Sequence, residues 1–192
     1  MATKLALKKK SSFTTEEARE YGLSPRMLSY YVKSGGIERI ARGVYRYTDY
    51  VGKDKNLVWE EVAVAAQRIS NGVICLISAL NYYELTDERM RENWIAVPHS
   101  HGHSNFPMTR IVRMRNISLG VQRKVISDIE VKIFDPERTI VDSFRLLDFE
   151  IAIKALKLYL KGRCGKPNLK KLNGYSKELR MNIEEYVLSI MA

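Results

Sequence analysis

Phe13-Thr14-Thr15-Glu16-Glu17-Ala18, Gly22-Leu23-Ser24-Pro25 and Ile37-Glu38-Arg39-Ile40-Ala41-Arg42-Gly43-Val44-Tyr45 are the stretches whose reading decides the fold. Thr14 and Glu17 have the spacing of a capping box, and Phe13 is the apolar residue before it. A short helix is predicted from there, with Ala18 and Tyr21 facing inward. Gly22 ends it by supplying a left-handed conformation that most residues avoid. Leu23 anchors the turn in the core. Ser24 then caps a second helix and Pro25 opens it, where a missing N–H costs nothing. That helix runs through Lys33 and stops at Ser34-Gly35-Gly36. Two short helices joined by a tight glycine-containing turn form a helix-turn-helix. The run from Ile37 to Tyr47 reads as a β-hairpin with Arg42-Gly43 at its tip, which is where a wing belongs.

The second helix has two faces. Leu28, Tyr31 and Val32, with Met27 beside them, point to a core. Arg26, Ser29, Tyr30 and Lys33 recur at i, i+3, i+4 and i+7 and share the outer face. That face holds two cations, a hydroxyl and a phenol, with no acid among them. Such a set suits a DNA major groove, where Arg reads guanine edges and Lys, Ser and Tyr hold phosphates. An ordinary solvated face would carry compensating acids, and an exposed Tyr asks for a partner. Arg39, Arg42 and Arg46 on the hairpin are the matching candidates for phosphate or minor-groove contacts.

Charge supports this placement. The chain of 192 residues has 32 Lys+Arg and 22 Asp+Glu, a net charge of +10. Residues 1–55 hold 12 bases and 6 acids, so more than half the excess lies in under a third of the chain. Lys4, Lys8, Lys9 and Lys10 alone would be a solubilising arm, so the argument rests on position. Residues 48–56 are polar and read as a linker, which gives a winged helix-turn-helix domain over 1–55 and a second domain over 56–192.

The second domain reads as mixed. Helical periodicity covers Leu57 to Ile69, Ser78 to Glu84, Pro136 to Leu147 and Phe149 to Leu160, with one or two further helices between Asn168 and Met191. On the Phe149–Leu160 helix, Ile153, Leu156 and Leu160 align toward the core, and Lys154, Lys157 and Lys161 toward water. Strands are predicted at Val73–Leu76, Trp94–Val97, Arg110–Arg115 and Val131–Phe134. The fold class is α+β: a winged helix-turn-helix, then a mixed α/β domain with a helical C-terminus.

Few residues point to catalysis. His99, His101 and His103 invite a metal, but they sit in a polar loop between two prolines with no carboxylate or Cys nearby, so no metal site is assigned. Glu130-Val131-Lys132 has the spacing of some nuclease sites, which need a further acid to hold a divalent ion. Residues 93–127 contain no acid, and strand alternation explains the motif better. Asp135 caps the helix opened by Pro136, with Glu137 at its positive end and Asp142 further along. Cys75 is a core thiol; Cys164 lies in a basic loop, where it is read as exposed and reactive. Two Cys suit a reducing compartment, and the longest apolar stretch, 71–83, is too short for a membrane. A cytoplasmic chain is expected, without cofactor and not an enzyme. Arg110, Arg113, Arg115, Arg123 and Lys124 form a second basic stretch, either an extension of a DNA footprint, a dock for an acidic partner, or a charged edge strand.

The motifs at 13–18, 22–24 and 37–45 resemble the N-terminal domain of AbiEi-family antitoxins. The element ending in Arg39-Ile40-Ala41-Arg42-Gly43-Val44-Tyr45 carries most of the resemblance. More loosely, Ile77-Ser78-Ala79-Leu80, Leu85-Thr86-Asp87 and the run from Phe134 to Asp142 are similar in order, so the likeness spans nearly the whole chain. The resemblance implies an antitoxin of a type IV (abortive infection) system. Its winged helix would bind inverted repeats of its own operator and repress the operon. Its C-terminal domain would counter a nucleotidyltransferase-like toxin, with no stable complex assumed. The alternatives are a regulator whose second domain senses a ligand or partner, and a metal-dependent nuclease delivered by the winged helix.

Overall fold

The computed structural model describes residues 6–50, 57–102 and 106–192. The chain forms two compact units. The first comprises residues 1–72 together with 123–131, and the second comprises 73–122 and 132–192. No helix among the described residues is long and apolar enough to cross a membrane.

In the first unit, β1 (Phe13–Thr14) leads into α1 (Thr15–Glu20), α2 (Pro25–Lys33), β2 (Ile37–Ala41), β3 (Val44–Tyr47) and α3 (Leu57–Arg68). The capping box is complete: Glu17 N–H donates to the Thr14 hydroxyl at 3.1 Å, and Thr14 N–H to the Glu17 carboxylate at 2.8 Å. Phe13 does more than precede the cap. With Thr14 it adds a third antiparallel strand, Phe13 opposite Tyr45, in the order β1-β3-β2. Leu7, Phe13, Ala18, Leu23, Leu28, Ile37 and Tyr47 make a small buried core. Thr48 and Tyr50, read as linker, are anchored: the Thr48 hydroxyl donates to the Gly35 carbonyl at 2.8 Å and the Tyr50 phenol to Asp128 at 3.2 Å. Residues 51–56 of that linker lie outside the described residues.

The second sheet has five strands in the order β6-β5-β4-β8-β7: β4 (Val73–Ile74), β5 (Asn93–Pro98), β6 (Thr109–Met114), β7 (Val121–Ile126) and β8 (Ile129–Phe134). β5 and β6 are parallel, as are β4 and β8; β4 and β5 are antiparallel. The strand β7 is absent from the sequence prediction. It forms a hairpin with β8 through Ser127 and Asp128, both left-handed at φ 50° and 61°. Two such residues give the turn whose twist matches a hairpin, and Asp tolerates that conformation better than most residues. Five helices belong to the second unit: α4 (Leu76–Tyr82), α5 (Pro136–Leu146), α6 (Phe149–Leu160), α7 (Leu169–Glu178) and α8 (Glu184–Met191). Leu80, Ile140, Leu156, Tyr159, Leu172 and Ile183 lie in its main core. On α6 the buried face is Ala152, Ala155, Leu156 and Tyr159 rather than the stripe through Ile153 and Leu160, which are half-buried. Small alanines let α6 approach closely, and the larger aliphatics fall to its flanks.

Candidate nucleic-acid interface

Local signals build the recognition helix. Ser24 caps α2 by accepting from Met27 N–H at 3.3 Å, and Pro25 occupies the first turn. Leu28 is fully buried, which fixes the rotation of the helix and turns Arg26, Ser29, Tyr30 and Lys33 outward. Tyr30 is 66% exposed and packs only edge-on against Tyr31, with ring centroids 5.6 Å apart. Arg26 and Lys33 are exposed and make no ion pair among the described residues. The Ser29 hydroxyl donates back to the Pro25 carbonyl at 3.0 Å, so only its lone pairs face outward.

On the wing, Gly43 sits at φ +76° at the tip, and its carbonyl accepts from Thr15 N–H at 2.9 Å. The tip is thereby tied to the start of α1. Arg42 beside it is exposed. Arg39 is exposed and donates through Nε to the Ala41 carbonyl at 3.3 Å, across a break in the β2–β3 register. Arg46 is placed differently. Its Nε donates to the Ser11 carbonyl at 2.8 Å, its Nη2 meets the Glu60 carboxylate, and its Nη1 lies 3.8 Å from Glu38. Two acids balance its charge inside the unit, so it braces β3 against α3. Glu60 lies beyond the predicted linker, so no local pattern announces this pairing. The basic arm is also partly neutralised, by Lys8–Asp49 at 2.7 Å and Lys10–Glu17 at 2.5 Å. The first pair raises the Lys8 ammonium and lowers the Asp49 carboxyl through their shared hydrogen bond.

The second basic stretch is not brought together. Arg110, Arg113 and Arg115 belong to β6 or its end, Arg123 and Lys124 to β7, and these strands are the two edges of the sheet. Arg110 stacks its guanidinium 4.3 Å from the Trp94 ring centre, and Arg113 donates to the carbonyls of His101 and Gly102 at 3.3 and 3.4 Å. Arg123 pairs with Glu130 at 2.8 Å, which accounts for the acid of the Glu130-Val131-Lys132 motif. His103 lies outside the described residues. Among the described residues no group of His, Cys, Asp and Glu is placed to hold a metal.

The acids of α5 form a buried network that the sequence shows only in part. Asp135 caps α5, accepting from Arg138 N–H at 2.8 Å, as predicted. Its second oxygen accepts from the Tyr175 phenol and meets the Lys171 ammonium, both at 3.0 Å. Glu137 accepts from Tyr159 at 2.8 Å and faces Lys171 at 3.3 Å. Arg138, fully buried, donates to Asp142 at 2.6 Å and to the carbonyls of Asn116 and Leu119 at 3.0 and 3.1 Å. Burial pushes Tyr175 up to about 12, reinforced by the charge of Asp135. Burial alone would lower Lys171, but its bonds to Asp135 and Glu137 outweigh this and raise it. Every acid here has a cationic or phenolic partner, which is the arrangement of a structural network. Cys75 is buried and its thiol is pushed well up by that burial. Cys164, read as exposed and reactive, is half-buried, and burial raises its thiol too, which lowers its reactivity at neutral pH.

Comparison with known proteins fits this architecture. The chain is similar to the crystal structure of RV2827C protein from Mycobacterium tuberculosis, at 12% identity and a TM-score of 0.51 over 91% of this chain and 69% of that one, which is a likeness of fold. No curated protein matches the chain. Residues 2–48, the segment that carries the helix-turn-helix and its wing, match the family described as transcriptional regulator, AbiEi antitoxin. Over that segment, about a quarter of its length, the chain is similar to the AbiEi antitoxin family of transcriptional regulators.

Proposed function

We propose that the chain is a DNA-binding antitoxin that represses its own operon and counters a nucleotidyltransferase-like toxin. The observation that carries the DNA half is the outer face of α2. Arg26, Tyr30 and Lys33 stand exposed, with no acid beside them on the helix and no ion pair among the described residues. Arg26 at the first turn reads a guanine edge; Tyr30 packs on a base or sugar; Lys33 and the lone pairs of Ser29 face the backbone. Arg39 and Arg42 bring the wing to neighbouring phosphates, and Arg46 holds the wing in place. The operator is double-stranded DNA, probed as inverted repeats.

The toxin half is supported by the family match over residues 2–48 and by the looser resemblance of the remaining chain. Co-expression with the adjacent gene, scored for growth, tests it. Rescue by the full chain supports the antitoxin, and unrelieved toxicity or a harmless neighbour rejects it. A second reading, a regulator whose second unit senses a ligand, is favoured by a cleft of about 830 Å³ beside Trp94, where Arg89, Arg91 and Arg110 face Asp87, Glu88, Glu92 and Asp148. A small polar ligand that binds this cleft and changes operator affinity would select that reading.

A further inference from the structure

The wing is a short hairpin whose ladder is interrupted near its tip. Glu38 stands opposite Arg46 and Arg39 opposite Tyr45, and the register then breaks between Arg39 and Ala41. Arg39 lies at the break and Arg42 beyond it. A two-stranded hairpin is marginal by itself, and β1 adds only two residues to this one. The direction of the tip is therefore set by ties to the rest of the unit. One tie is at the tip, where the Gly43 carbonyl accepts from Thr15 N–H at 2.9 Å. The other is at the base, where Arg46 meets the Glu60 carboxylate and donates to the carbonyl of buried Ser11 at 2.8 Å.

The helix α3 is seated firmly enough to be the fixed end of that second tie. Its Val62, Ala63, Ala65 and Ala66 are buried. Glu60 and Gln67 lie seven residues apart, two turns along one side of the helix. Gln67 accepts from the Ser12 hydroxyl at 2.7 Å and donates to the Glu17 carboxylate at 3.0 Å. Glu17 is the acid of the α1 capping box. One side of α3 thus holds the start of α1 through Gln67 and the wing through Glu60. Both residues lie beyond residues 2–48, the segment that matches the family.

Glu60 has no other place in a unit that binds a polyanion. An acid there repels the ligand, and removing it would ordinarily raise affinity. The Glu60 and Arg46 side chains are 18% and 26% exposed, so solvent and salt screen their pairing less than that of a surface pair.

We propose that Glu60 is a positioning residue for DNA recognition, a role that rests on the DNA reading of α2 and the wing. It holds Arg46 at the base of the hairpin and thereby sets the direction in which Arg39 and Arg42 meet the phosphates. Arg46 spends its charge on Glu60 and Glu38 and makes no phosphate contact of its own.

Competition gel shifts of the full chain on a duplex from the promoter upstream of its own gene, with hydrogen exchange of the same proteins in the absence of DNA, test this role. Glu60→Ala should weaken binding about tenfold, the opposite of the gain that loss of an acid gives. In a chain that already carries Arg39→Ala and Arg42→Ala, the same substitution should change affinity by less than about twofold, because no wing contact remains to be misplaced. Arg46→Lys keeps the charge but not the guanidinium fork, and should weaken binding as Glu60→Ala does. Without DNA, amide exchange in the β2–β3 hairpin should quicken about tenfold in Glu60→Ala, while exchange in α2 stays as in the native chain. Tighter or unchanged binding by Glu60→Ala overturns the proposal, as does Arg46→Lys that binds like the native chain. So does an equal loss in the chain without Arg39 and Arg42, or faster exchange throughout the unit, either of which makes Glu60 a general prop of the fold. A native chain that does not bind the duplex rejects the DNA reading and this role with it, whereas a native chain and a Glu60→Ala variant that bind equally reject the role alone.

Discussion

Arg26 on α2 and Arg138 on α5 carry the same guanidinium into opposite surroundings. Arg26 stands in solvent with no acid near it in sequence or in an ion pair, whereas Arg138 is sealed from solvent with Asp142 and two carbonyls on its donors. Among the described residues the first charge has no ion-pair partner. The second is met by Asp142 and by the loop between β6 and β7, and so ties that loop to α5. The contrast teaches that a basic chain has two kinds of base, and that only the unmatched kind bears on recognition.

Removing each arginine should separate these roles. The largest effect is expected from Arg138→Ala, which leaves Asp142 with Arg145 as its remaining cation at 2.5 Å, strips the Asn116 and Leu119 carbonyls of their donor and opens a core cavity, and should cost about 3–5 kcal/mol of stability by urea unfolding. An unaltered unfolding curve would show that the network is dispensable. Gly120→Ala approaches the same network from outside. Gly120 is at φ +75°, and a Cβ there would lie 2.7 Å from the Arg138 Cβ. The backbone or Arg138 must shift, at a cost of about 2 kcal/mol in the same assay. Arg26→Ala should leave unfolding within about 0.5 kcal/mol of the native chain. Its operator affinity should nonetheless drop by about 1–3 kcal/mol, with relaxed base preference, in competition gel shifts. Loss of stability without loss of affinity would invert the comparison.

Lys33→Ala should act more gently and without regard to sequence. It should weaken binding to all DNA alike and flatten the slope of log affinity against log salt by about one. An unchanged slope would remove Lys33 from the phosphate contacts. The smallest effect concerns pH and falls on the buried network only. Tyr175 is raised from 10.0 to about 12 and Lys171 is raised above 10.5. For a group whose folded value is raised, the stability it contributes is intact below the unfolded value and is lost as pH climbs toward the folded one. Thermal midpoints should therefore be insensitive to these two groups below pH 10 and should decline from about pH 10 to 12, less steeply in Tyr175→Phe. The same slope in both proteins would detach Tyr175 from the decline.

What was legible in the sequence divides along the same line. The winged helix is written in local signals: a capping box within Thr14–Glu17, Ser24-Pro25 at a helix start, and Gly43 at a turn. Each acts over a few residues, so each can be read without knowing the rest of the fold. The network around Arg138 draws on Asn116, Leu119, Tyr159, Lys171 and Tyr175. Those partners come from segments far apart in the chain; only the Asp135 cap and the Arg138–Asp142 pair, four residues apart on one helix, have a local signature. Arg46 shows the same limit in small. On its strand it looks like its neighbours Arg39 and Arg42, and only Glu60, on a later helix, separates it from them. The strand β7 has a local signal in Ser127-Asp128, but Gln122, Arg123 and Lys124 in its centre break the apolar alternation by which a strand is read.

The Ser127-Asp128 turn has one more implication. The tip of the β7–β8 hairpin belongs to the first unit: the Ser127 carbonyl accepts from the Ser11 hydroxyl and Asp128 from the Tyr50 phenol. The polypeptide therefore passes between its units at 72–73, 122–123 and 131–132, and no single cut releases the first unit intact. Such a regulator resists being built by simple fusion. A gene rearrangement that swapped residues 1–72 alone would deliver a reader lacking the strip that closes over Ser11. Exchange between relatives would have to carry residues 123–131 along with 1–72.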